Sequence, residues 1–161
     1  MTDYQLEKWI WTEADFEDMG WHDARIHGIA FLGEDFEVML DIDYILQWID
    51  PGPNETYYKF WIVPATLVFH NVHDLKIDLE PFAGIEIQDV HKSDPQRPKN
   101  AEYVDRDTEW QWTIETHEGE ISLKSVGYTQ YLRKEPILSQ QSSLDLNVRG
   151  GISFSRVREI L

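Results

Sequence analysis

The stretch WHDARIHG, residues 21–28, sets a tryptophan, two histidines, an aspartate and an arginine within eight positions. Imidazole and carboxylate side chains hold divalent metals and exchange protons near neutral pH. In a regular strand Asp23, Arg25 and His27 share one face, and His22 turns to the other with Ala24, Ile26 and Gly28. The two histidines therefore cannot reach one metal unless a bulge intervenes. Arg25, between Asp23 and His27, repels a cation and can neutralise Asp23 through a charge-assisted hydrogen bond. The expectation is a polar brace at the mouth of a strand. Ligand binding at Asp23, Arg25 and His27 is the competing reading.

Other residues invite the same weighing. Asp41-Ile42-Asp43 could share an oxygen-loving cation. Glu37 extends that face, however, so a solvated acidic stripe is the simpler account. Asp89 and His91 can pair as carboxylate and imidazole, the arrangement of an oriented general base. No G-x-S-x-G nucleophile accompanies them. His70 falls on an apolar face and reads as a core histidine. His117-Glu118 lacks a second histidine at metalloprotease spacing and sits in a hairpin turn, which removes it from consideration. Trp110 and Trp112 share a strand face, where they can stack a flat ligand or sugar, or close a core. Arg149-Gly150-Gly151 carries no phosphate-loop pattern and reads as a turn.

The elements that must position these groups are mainly strands. TEADFEDM (12–19) reads as one short helix, capped by Thr12, with Asp15 in capping-box position and Gly20 as the stop. FEVMLDIDY (36–44) alternates, with Phe36, Val38, Leu40, Ile42 and Tyr44 inward and Glu37, Met39, Asp41 and Asp43 on a wet side. KFWIVPATLVFHNV (59–72) is apolar on both faces, hence central, and Pro64 requires a bulge or bend. DLKIDLE (74–80) and GIEIQDV (84–90) also alternate. Residues 91–107 are polar with two prolines and predict a long excursion loop. WQWTIET and EISLKSVGY, joined at His117-Glu118-Gly119, predict a hairpin. LDLNV and GISFSRV predict a last hairpin, and SRVREIL reads equally as strand or short helix. No βαβ alternation appears. The expected fold is mainly β: a single antiparallel sandwich or strongly curled sheet of about eight strands, with one short N-terminal helix, forming one domain over 1–161.

Composition narrows the function. The net charge is −16, a field that repels phosphate backbones and anionic membranes and draws in a basic protein. Residues 1–60 carry −11 and the remainder −5. There is no cysteine, so disulfides, thiolate metal sites and cysteine nucleophiles are excluded. No secretory signal or apolar membrane span is evident, and a cytoplasmic place is expected.

Trp21-His22-Asp23, Asp41-Ile42-Asp43-Tyr44-Ile45, the segment PATLVFHNV (64–72) and RGGISF (149–154) together resemble a family of uncharacterised bacterial proteins of this length. The resemblance spans most of the chain and implies no activity or catalytic residue. The general style (small, acidic, cysteine-free and aromatic) is also similar to immunity proteins that neutralise bacterial toxins. The leading expectation is thus a non-enzymatic acidic domain that binds a basic protein, with no cofactor. The alternative is a small-molecule or sugar-binding domain, hydrolytic if it holds a metal, with its pocket near His91, Trp110 and Trp112. A divalent ion at Asp23 and His27, or at Asp41 and Asp43, is the third reading.

Overall fold

A computed structural model describes residues 4–81 and 83–159. Residues 1–3 and the last two residues of SRVREIL lie outside the described residues, and Ser155–Glu159 form neither strand nor helix. Among the described residues the chain builds one antiparallel sheet of ten strands: β1 (Ile10–Thr12), β2 (Arg25–Leu32), β3 (Glu37–Ile49), β4 (Lys59–His70), β5 (His73–Leu79), β6 (Ile85–Gln96), β7 (Glu109–Thr116), β8 (Gly119–Ser125), β9 (Gly127–Leu132) and β10 (Ile137–Ser139). Their spatial order is β1-β9-β4-β3-β2-β6-β7-β8-β5, with β10 beside β4. The strand count is ten rather than eight, and the sheet does not close into a barrel.

The joint between β2 and β6 is narrow, since only Arg25 and Ile26 pair with Glu86 and Ile85. The two halves of the sheet on either side of it share one core. Leu40, Ile42, Val63, Leu67 and Phe69 come from the first half, and Ile87, Trp112, Ile114, Ile121 and Leu123 from the second. The period-two pattern of β3 and β4 supplies this inner face from Leu40 onward, whereas Phe36, expected inward, precedes β3 at φ +54° and is exposed. Trp21 plugs one end and donates its indole N–H to Gln130 Oε1 at 2.9 Å.

Several expectations are corrected. The predicted helix is a 3₁₀ helix at Glu13–Asp18, held by the Thr12–Asp15 capping box. Pro64 causes no bulge: Asp43 pairs with it in unbroken register, and the register shift falls at Leu46 instead. Its carbonyl accepts Arg133 N–H at 2.9 Å, so the missing N–H faces the place where β4 changes neighbours from β9 to β10. Residues 91–96 continue β6, because they pair with β7; Pro95 sits at a register shift, where a missing donor is tolerated. The rest of the expected loop contains helix α1 (Ala101–Val104). The expected last hairpin is absent. Leu146–Arg149 form helix α2, closed by Gly150 at φ +82°, and the following segment lies across the outer face of β3.

Candidate functional site

Asp41 and Asp43 do not form a wet stripe. Both are fully buried on the outer face of β3, beneath the C-terminal segment. Arg149 Nη2 and Nη1 donate to the two Asp41 oxygens at 2.7 Å each, and Arg149 Nε donates to Asp43 Oδ1 at 2.9 Å. The remaining Arg149 hydrogens reach the carbonyls of Gly151 (2.7 Å) and Ile42 (3.2 Å), so the whole guanidinium fork is used. Arg133 Nη2 and the Ser153 N–H add bonds to Asp41 at 2.9 Å each. His27 Nε2 (2.7 Å) and the Leu144 N–H (2.8 Å) add bonds to Asp43. Burial opposes ionisation of Asp43. The bonds from His27 and Leu144, with the Arg149 charge, outweigh it and hold the carboxyl below its ordinary range. Every carboxylate oxygen is occupied by a donor, which leaves no place for a cation. The network also trims the surface charge asymmetry. Removing two buried acids from −11 and two buried arginines from −5 leaves −9 and −7.

The opening stretch is split apart by this arrangement. A bulge between Ile26 and Gly28 turns His27 to Asp43. Asp23 precedes the strand, with φ +66°, and so shares no strand face with Arg25 or His27. Arg25 does not neutralise Asp23: its guanidinium donates to the Ala83 carbonyl. Gly84, at φ +122°, gives it room, since a Cβ there would overlap the guanidinium.

Asp23 finds other company. Its carboxylate, that of Glu86 on β6 and the imidazole of His117 each place one donor atom within 4.8 Å of the other two. His22 Nε2 stands 3.5 Å from Asp23 Oδ1, and His117 Nε2 stands 4.0 Å from Glu86 Oε1. The β7–β8 turn delivers His117, because its N–H donates to Glu86 O at 3.1 Å and Glu118 Oε1 accepts the Glu86 N–H at 2.7 Å. Burial, and then the neighbouring Asp23 carboxyl, push Glu86 above its ordinary range. His22, Glu86 and His117 fall outside the residues that sequence spacing selects. A turn has no readable partner until its hairpin is docked.

Trp112 is fully buried, donates its indole N–H to Ser125 O at 3.0 Å and presents no face to a ligand. Trp110 packs edge-on against it at 6.1 Å, under the ammonium of Lys92. His91 is exposed and bonds Glu115 at 2.9 Å, a bond that raises its pKa. Asp89 stands 4.0 Å from its other nitrogen. These residues line none of the described cavities. The largest of those, about 380 Å³, lies between Glu55–Lys59 and Gln140, beside the exposed ring of Tyr57. His70 is not a core histidine: its two nitrogens meet Glu37 Oε2 and Thr129 Oγ1, each at 2.8 Å. Arg156 clamps the same Glu37 from the C-terminal segment, which makes the line a brace for that cover.

The second half of the sheet bares its outer face. In successive register pairs Asp89 faces Glu115, Glu115 faces Glu120, and Glu120 faces Asp78. All four carboxylates are exposed and form one row across β6, β7, β8 and β5. At ~4.8 Å per strand the row is roughly 14 Å long. No protein-family model, curated protein or solved structure matches the chain. Among the described residues no helix is long and apolar enough to cross a membrane.

Proposed function

We propose that this chain is a non-enzymatic binding domain, and that the bare outer face of β6, β7, β8 and β5 receives a basic protein in the cytoplasm, in the manner of an immunity or inhibitor protein. The observation that carries the reading is the carboxylate row Asp89–Glu115–Glu120–Asp78. Like charges directly opposite one another on a sheet cost stability, so a row of them suits a surface that meets cations in a complex. The wider field of −16 favours the same class of partner and disfavours nucleic acid. The burial of Trp112 weighs against the alternative, a small-molecule or sugar pocket near His91, Trp110 and Trp112.

The test compares capture of proteins from the source cell by the wild-type chain and by a variant carrying Asp78→Asn, Asp89→Asn, Glu115→Gln and Glu120→Gln. A basic protein should be retained by the wild type, be lost from the variant, and bind more slowly as salt rises. Retention of the same protein by both chains, or an association rate indifferent to salt, overturns the proposal.

A further inference from the structure

We propose that Asp23, Glu86 and His117 form a binding site for a divalent transition-metal ion of the zinc class, with His22 beside it. The site is independent of the acidic face and of any protein partner. Its donors come from three places in the fold: the junction before β2, the start of β6 and the β7–β8 turn. One atom from each of Asp23, Glu86 and His117 falls within 4.8 Å of the others, and the imidazole of His22 stands 3.5 Å from Asp23, outside that group. Among the described residues no lysine or arginine lies within ion-pair distance of Asp23 or Glu86; their near neighbours are the two imidazoles. Arg25, the cation adjacent in sequence, is turned away to Ala83.

His22 steadies the Asp23 carboxylate: its Nδ1 donates to the Gln88 carbonyl at 3.0 Å, and its Nε2 faces Asp23 Oδ1 at 3.5 Å. Stacking on Trp48, at 5.9 Å and 22°, fixes the ring further. One imidazole with two carboxylates suits zinc and its neighbours, whereas calcium and magnesium prefer oxygen alone.

The test is calorimetric titration of the chelator-stripped full chain with Zn²⁺ alone. One ion per chain is expected, with a rise in melting temperature. Asp23→Asn and His117→Ala should each weaken binding by about 10-fold or more. Both variants should fold, because asparagine tolerates the left-handed backbone at position 23 and His117 is exposed. His91→Ala, in an exposed histidine–carboxylate pair elsewhere, should leave the affinity unchanged. The proposal is overturned by no stoichiometric binding, by equal weakening in His91→Ala, or by an affinity that Asp23→Asn and His117→Ala leave intact. Binding of Ca²⁺ in preference to Zn²⁺ overturns the assigned class of ion.

Discussion

On the outer face of β3, Asp41 and Asp43 are fully buried, and donors from a distant part of the chain occupy all their oxygens. On the outer face of β5 to β8, Asp78, Asp89, Glu115 and Glu120 are exposed and stand opposite one another. Both sets are carboxylates on outward positions of the same sheet. What separates them is the C-terminal segment, which covers one half and leaves the other bare. Under the cover a carboxylate is costly unless matched, so the chain matches it with Arg149, Arg133 and His27. In water its charge is cheap, and these carboxylates need no buried counter-charge.

This contrast is sharpest at Arg149. Arg149→Ala strands two buried carboxylates and is expected to cost about 3–5 kcal/mol in urea unfolding. A loss below about 1 kcal/mol, the scale of a surface pair, would erase the distinction between the faces. Acidification gives a second measure. Asp43 has a folded pKa below its unfolded one, so its contribution is present above about pH 4 and disappears as pH falls through the folded value. Melting temperatures should drop in that acid range, and Asp43→Asn, already destabilised, should drop less.

The bare face should answer in the opposite sense and more weakly. His91 has a raised pKa through Glu115, so its contribution is present in acid and fades as pH rises beyond the ordinary histidine range near about 6.5. His91→Ala should flatten the melting-temperature profile between about pH 6 and 8. The smallest expected effect is Glu120→Gln, which relieves two like-charge contacts and should stabilise the fold by a few tenths up to about 1 kcal/mol. If removing that acid destabilised the chain by as much as Arg149→Ala is expected to, the row would be structural and the comparison would fail.

Strand periodicity made the inner face legible. Leu40 and Ile42, and Val63, Leu67 and Phe69, point where alternation put them. The Thr12–Asp15 cap was readable because both partners lie within one turn. The outer face was not readable by the same rule. Alternation tells which residues leave the core, and it does not tell whether water or more protein awaits them. Arg149 meets Asp43 across 106 residues, and no local signal near Gly150 announces it. Likewise strand parity chooses Arg25 and His27 as the partners of Asp23. Its positive φ and the bulge at His27 replaced them with Glu86 and His117.

The sequence by itself determined the mainly-β character, the inward residues, the capped N-terminal turn and the acidic field, because each depends on neighbours a few positions apart or on composition alone. Only the tertiary structure decided which carboxylates are buried, which are bare and which gather around His117. Those outcomes depend on where the C-terminal segment and the β7–β8 turn come to rest, and distant contacts of that kind leave no period in the chain.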